Sequence, residues 1–335
     1  MKKIIVWILF LPLLFSFQRT QENFSSKHFL IKKLAPGVWA AIANDNYGHA
    51  ICNAGIIDLG DKTLIFDPFM NIDAANDLKL IAETLTKRKI QLVINSHFHN
   101  DHIRGNQVFD PGTTIISTTW TKNQQGISEP EERAWEKQNA AKKLAAEKEK
   151  LKIATGAAKE ELKMWVGYYE GIVNSEPLLK MALPNSLFDD SLWIHGSKRS
   201  VELKECKNGH TGSDAILLLP KEGIVFTGDI LFVKRHPWFG DGNPESLQKH
   251  LEKLEADKNY SVFVPGHGPV GGRKEITELI NYIKALRQLV KDGIYKNQPD
   301  SVIIKTDIPE LYKDWWYGRF YQDNLQFLCD ELRKK

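Results

Sequence analysis

The sequence predicts an α/β protein in which a sheet is covered by helices. Three observations carry that expectation. Short apolar runs rich in β-branched residues are separated by turn residues, other runs place apolar residues at three- and four-residue spacing, and the two kinds follow one another along the chain. At 335 residues the chain can bury a sizeable core. Its formal net charge of +3 gives no basic footprint for nucleic acid, so no nucleic-acid partner is expected.

The first residues stand apart. Lys2-Lys3 is a short basic region, and Ile4 to Phe17 is an apolar run broken only by Pro12 and Ser16. This reads as a signal peptide over residues 1–17, shorter than the roughly 20 residues of a comfortable membrane span. A periplasmic or secreted protein with no stable membrane span after processing is therefore expected. Removing residues 1–17 takes away two lysines and no acids, leaving a charge of +1. Cys52, Cys206 and Cys329 are too few, and odd in number, for a disulfide framework. Cys206 lies four residues before His210 but reads as a small buried hydrophobe.

After a polar linker come strand-like runs at Val38 to Ile42, Ala54 to Asp58 and Thr63 to Asp67, the last stopped by Pro68. Ile72 to Lys87 has helical spacing through Leu78, Ile81 and Leu85, and a strand follows at Ile90 to Ile94. A helical insertion is expected over residues 129–183, starting at Glu129-Pro130-Glu131-Glu132 and rich in Ala, Lys and Glu. It reads as a solvated hairpin; Trp165, Tyr168 and Tyr169 raise the alternative of a lid or a homodimer arm. Strands are expected again at Leu192 to Ile194, Val201 to Leu203, Ala215 to Leu219, Ile224 to Phe226 and Ser261 to Val264. Helices are expected at Pro244 to Leu254 and Lys274 to Lys291, and through the aromatic tail Ile308 to Lys335, a second candidate dimer contact. Without repeats or a low-complexity linker, residues 28–335 read as one domain carrying the insertion.

The chemistry gathers at strand ends. His97-Phe98-His99-Asn100-Asp101-His102 directly follows the apolar run Leu92-Val93-Ile94. Neutral imidazole and carboxylate are good Zn²⁺ ligands, and on a strand-to-helix turn they can converge on one point. Three more segments repeat the pattern: Gly209-His210-Thr211-Gly212-Ser213-Asp214 before a strand, Thr227-Gly228-Asp229 after one, and Pro265-Gly266-His267-Gly268 after another. One such segment would be an ordinary turn or cap; four in one chain point to a metal site.

With these motifs, from about Val38 to about Gly272, the chain resembles the metallo-β-lactamase superfamily. The resemblance implies a four-layer αββα sandwich binding one or two metals at one edge. By that resemblance His97, His99 and His210 hold the first metal, Asp101, His102 and His267 the second, and Asp229 bridges them. Asp67 matches the strand-end aspartate that orients the metal-binding loop. Two Zn²⁺ ions roughly 3.5–4 Å apart can share a water, lower its pKa and direct the hydroxide at an acyl carbonyl. Asp101 would also act catalytically, orienting the nucleophile or carrying its proton. Fe or Mn would fit the same His/Asp ligands.

Two departures narrow the activity. A flavodiiron enzyme of this fold has Glu where this chain has His99. The best-known secreted β-lactamase subclass has Cys where this chain has Asp229. The expectation is an exported dinuclear zinc hydrolase of a small acyl substrate, with a β-lactam as one candidate. A lactonase or glyoxalase-II-like thioesterase is the alternative within enzymes, and a catalytically silent metal-binding scaffold the alternative outside them. His236-Pro237-Trp238-Phe239-Gly240 could wall the substrate pocket, while Lys234 and Arg235 could receive a substrate carboxylate. His28, His49, His195 and His250 have no ligand-like setting, and Trp315-Trp316-Tyr317 reads as core or dimer contact.

Overall fold

The strand-like runs form two sheets stacked face to face. The computed structural model describes residues 26–334, and the expected signal peptide over residues 1–17 lies outside them. The first sheet keeps sequence order: β1 (Phe29–Ala35), β2 (Val38–Ala43), β3 (Ala54–Asp58), β4 (Thr63–Phe66), β5 (Leu92–Ile94), β6 (Thr114–Thr118) and β7 (Ser186–Phe188). β1 to β4 make an antiparallel meander, and from β4 to β7 neighbours are parallel. Parallel neighbours need crossovers. These are α1 (Ile72–Thr86), the short α2 (Asn100–Ile103), and the hairpin of α3 (Thr119–Ile153) and α4 (Gly156–Ser175).

The second sheet contains β8 (Ser191–His195), β9 (Ser200–Lys207), β10 (Ser213–Leu219), β11 (Ile224–Phe232) and β12 (Val262–His267), in the order β12-β11-β10-β9-β8. Only β11 and β12 are parallel, joined through α5 (Pro244–Ala256). Then follow α6 (Arg273–Tyr295), the single turn α7 (Asp300–Ile303) and α8 (Arg319–Arg333).

Side-chain alternation along the strands builds the layers. In β10, Ala215, Leu217 and Leu219 meet Ile57, Leu64, Phe66 and Ile94 of the facing sheet. The intervening Ile216 and Leu218 turn outward to Leu247 and Leu251 of α5, Ile283 of α6 and Leu325 of α8. On the far side, Ile56, Ile65 and Val93 meet Ala74, Leu78 and Ala82 of α1. The result is helix, sheet, sheet, helix: the expected αββα sandwich.

The insertion differs from expectation at its start. Its first helix begins at Thr119, not near Glu129, because the Thr118 side chain caps it by accepting from the Thr121 amide at 3.1 Å. Pro130 is absorbed inside the helix, where it forgoes one backbone hydrogen bond instead of opening a new element. The tail also differs: α8 begins only at Arg319, and Trp316 lies in irregular chain bridged to Arg235.

Candidate metal centre

Each residue of the expected constellation stands where a regular element ends or bends. His97 follows β5, His99 occupies the extended cap position of α2, and Asp101 and His102 lie in the first turn of that helix. His210 comes from the turn between β9 and β10, Asp229 from β11, and His267 closes β12. The β11–β12 register shifts at Gly228, which has φ 50°, and this bend presents Asp229 to the cluster. A Cβ at Gly266 would fall 1.8 Å from Asp229 Oδ1, so only glycine lets β12 lie against that carboxylate.

The seven side chains meet in two overlapping groups. His97, His99, His210 and Asp229 form the first, with their candidate ligand atoms within 4.8 Å of one another. Within it His210 Nε2 is 3.1 Å from His99 Nδ1 and 3.3 Å from Asp229 Oδ2. In the second, Asp101 Oδ2 lies 3.4 Å from His102 Nε2 and 3.3 Å from His267 Nε2. Asp229 reaches it too, 3.3 Å from each of those two nitrogens.

The partners behind the imidazoles set their tautomers. A carboxylate or carbonyl can only accept, so the ring nitrogen facing one must donate, and in the neutral ring that a metal requires the other keeps its lone pair. His102 Nδ1 donates to Asp67 at 2.8 Å, and His267 Nδ1 donates to the Ile51 carbonyl at 3.1 Å; both leave Nε2 for the cluster. His99 is turned the other way: Nε2 donates to Asp241 at 3.1 Å, leaving Nδ1 inward. Asp67 also accepts from the Ser96 amide at 2.8 Å, tying the loop after β5 to the end of β4.

Burial and neighbouring imidazoles hold His97 well below the ordinary histidine range and His210 at about 3. Burial would lower His102 as well, but Cys52, Asp101, Asp229 and Asp67 outweigh it and raise it well above that range. Although buried, Asp229 is held well below the carboxylate range by His267, His102 and His210. The acidic side of the cluster thus calls for positive charge.

Three inward atoms, His97 Nε2, His102 Nε2 and Asp229 Oδ1, are buried with no hydrogen-bond partner; the 3.3 Å between the last two lacks hydrogen-bond geometry. Such an orphan costs about 1–3 kcal/mol. A cation at that point would relieve all three, and the N/O donor set suits Zn²⁺, Fe or Mn. The residues fit a metal.

The comparisons with known proteins agree with this architecture. A family profile described as the metallo-beta-lactamase superfamily matches residues 47–117. A solved structure titled metallo-beta-lactamase from Pontibacter korlensis superposes with a TM-score of 0.53 at 15% identity, covering 76% of this chain and 99% of that one. The chain carries the metallo-β-lactamase superfamily fold. A crystal structure titled VMB-1 at pH 5.5 gives a TM-score of 0.56, also at 15% identity, over 78% of this chain and 99% of its own. No curated protein matches the sequence.

Around the cluster, this metallo-β-lactamase-fold chain builds a cavity of about 340 Å³. Its floor includes His99, Asp101, His210, Asp229 and His267, and Trp238 walls it as the loop motif suggested. Trp165 and Tyr168 of α4 line it as well, so the hairpin covers the site with one face and is not merely solvated. Tyr317 is a further wall residue, whereas Trp315 packs in the core. His236 is buried beneath the loop against the Tyr282 hydroxyl at 2.8 Å. Lys234 and Arg235 do not line the cavity and are paired with Glu278 at 2.7 Å and Asp45 at 2.6 Å.

Sequence reasoning missed Asp241, Glu132 and Cys52. The Cys52 thiol, pushed up to about 12 by burial, donates to the Asp101 carbonyl at 2.9 Å, while Cys206 packs in the apolar core. Only the proximity of Asp241 to Trp238 gave a signal; Cys52 arrives from the loop before β3 and Glu132 from α3.

Proposed function

We propose that this chain is an exported, dinuclear metal-dependent hydrolase acting on an acyl carbonyl, with zinc as its metal. The observation that carries the reading is the convergence of His97, His99, His210, Asp101, His102, His267 and Asp229, three of whose inward atoms are buried without a partner. His97, His99 and His210 would hold one ion and Asp101, His102 and His267 the other, with Asp229 shared. Bound there, the ions supply a water acidic enough to attack a carbonyl and a Lewis acid for the charge that develops. Asp101 is the carboxylate that would orient such a water or take its proton, because it belongs to the cluster and also faces the cavity. Burial pushes its carboxyl up, but His102 and His267 hold it at about 2, so it is ionised and can accept a proton or orient one. The cavity above gives an acyl substrate room, which favours an enzyme over a silent scaffold.

His99→Ala and Asp101→Ala should each abolish turnover and lower metal content measured by plasma mass spectrometry. Unchanged metal content in both variants would sink the assignment. Colour change with a chromogenic β-lactam, against thiol release from a thioester, separates a β-lactamase from a thioesterase; Asp229, in place of cysteine, favours the thioesterase or lactonase side. Export rests on Lys2-Lys3 and the apolar run to Phe17, and fractionation that leaves the protein in the cytosol would overturn it.

A further inference from the structure

The wall of the cavity is acidic and aromatic. Among the described residues, no lysine or arginine lines it. Two basic side chains that lie against lining rings are engaged elsewhere: Arg235 pairs with Asp45 at 2.6 Å, and Arg319 pairs with Glu147 at 3.2 Å while its guanidinium lies 3.9 Å over the Trp165 ring.

Behind the wall, one cation faces three carboxylates. Buried Arg104 binds Glu129 at 2.9 Å and Glu136 at 2.8 Å, whereas Glu132 stands 4.0 Å off. The two nearer acids already exceed the charge of Arg104. Glu132 is left with one hydrogen bond from Asn100 Nδ2 at 2.7 Å. Its side chain is 41% open, and the opening is into the cavity. Its carboxyl is pushed up to about 7, first by burial and then by Glu136 and Glu129, against the pull of Arg104.

Aromatic rings complete the setting. Tyr168, Trp238 and Phe320 are the half-buried rings of the wall, with Trp238 and Phe320 edge to face at 5.5 Å. Ring faces attract a cation within about 6 Å of the centroid, by about 0.5–2 kcal/mol.

We propose that the acyl substrate of this site carries an ammonium group, received by Glu132 among Tyr168, Trp238 and Phe320. This rests on the hydrolase reading above and deepens it. A substrate carboxylate placed at the same wall meets Glu132 and no basic side chain. A cation there satisfies the unmatched acid and the ring faces together, while the acyl carbonyl faces the metal cluster.

The test uses the metal-loaded full chain and three thioesters: acetylthiocholine, its neutral isostere S-(3,3-dimethylbutyl) thioacetate, and the anionic S-acetyl-3-mercaptopropionate. Thiol release should give a kcat/KM about ten-fold higher for the cationic ester than for the neutral one, and lowest for the anion. Glu132→Gln should keep its metal content and lose most of that preference through KM. Choline, titrated by tryptophan fluorescence, should bind the parent about ten-fold more tightly than the variant. Equal kcat/KM for cationic and neutral esters, or a preference for the anion, overturns the inference and leaves the hydrolase standing. If no thioester turns over yet choline binding depends on Glu132, the cation site stands and the thioesterase form of the hydrolase reading falls; if choline does not bind either, the cation site falls with it.

Discussion

Asp67→Asn tests whether the metal cluster is held from behind. Asp67 is fully buried; Oδ2 accepts from His102 Nδ1 at 2.8 Å and Oδ1 from the Ser96 amide at 2.8 Å. Its φ of 55° is a conformation that asparagine tolerates, so the backbone need not move. Asparagine keeps one oxygen and turns the other position into a donor. If the NH₂ faces His102, the imidazole must shift its proton to Nε2, and that nitrogen loses the lone pair it would offer a metal. If the NH₂ faces Ser96 instead, a buried amide meets a donor and loses about 1–3 kcal/mol. Loss of an outer partner to a metal-binding histidine typically costs 10–100-fold in affinity, or about 1.4–2.7 kcal/mol. Competitive chelator titration should therefore show one of two ions weakened by about that factor, with an unchanged circular dichroism spectrum. Two ions retained within about three-fold of the parent affinity would refute the assignment of Asp67 as the support of His102.

Gly266→Ala should drive a methyl group into Asp229, where Cβ and Oδ1 would lie 1.8 Å apart, costing about 1–3 kcal/mol and lowering metal content; a fully loaded variant would contradict this. Arg104→Met should destabilise the fold by about 3–5 kcal/mol in urea melts, because Glu129 and Glu136 would be left buried without a counter-charge, and a loss under about 1 kcal/mol would show the network to be dispensable. Burial pushes His236 down to about 4 from 6.5, so between those pH values the unfolded chain binds a proton that the folded one does not. His236 should remove about 3 kcal/mol of stability as pH drops from 6.5 to 4, on top of what His28, His97 and His210 remove, and His236→Phe should lessen the slope by that amount in metal-free protein; parallel slopes would exclude His236 as a contributor.

The seven residues of the cluster could be picked out in the sequence because they fall in four polar segments flanking apolar strand runs, with a glycine beside His210, Asp229 and His267 and a helix start at His99, Asp101 and His102. The central strands were visible for the same reason: Ala215 to Leu219 and Ile224 to Phe226 are uninterrupted apolar runs buried on both faces. β6 and the two edge strands of the first sheet, β1 and β7, were not. β1 carries Lys32-Lys33 along the sheet edge, and β7 is only three residues long, so neither offers a period to read. Nor does the sequence announce that the strands divide between two sheets, since inward and outward faces are both apolar in β10. Asp241 and Glu132 escaped for a different reason. A carboxylate on an exposed loop and one on a charged helix look like solvated surface until tertiary structure turns them toward His99 and the cavity.

The hairpin of α3 and α4 had competing readings, a solvated hairpin against a lid or a dimer arm, and its attachments favour neither a solvated hairpin nor a lid. Glu129 and Glu136 of α3 clamp Arg104, and Glu132 binds Asn100, so the helix is fastened to the turn that carries Asp101 and His102. At the other side, Glu161 of α4 accepts from the Tyr317 amide at 2.9 Å, and Glu147 of α3 pairs with Arg319 at 3.2 Å. Swinging the hairpin away would break the Arg104 pairs with Glu129 and Glu136 together with the bonds of Glu132 to Asn100, Glu161 to Tyr317 and Glu147 to Arg319. The hairpin is better described as a fixed wall. A fixed wall holds Glu132 and Tyr168 in place before any substrate arrives, so less ordering is needed on binding. Entry is then left to the half-buried rings of Tyr168, Trp238 and Phe320, side chains that can change rotamer without breaking a buried ion pair.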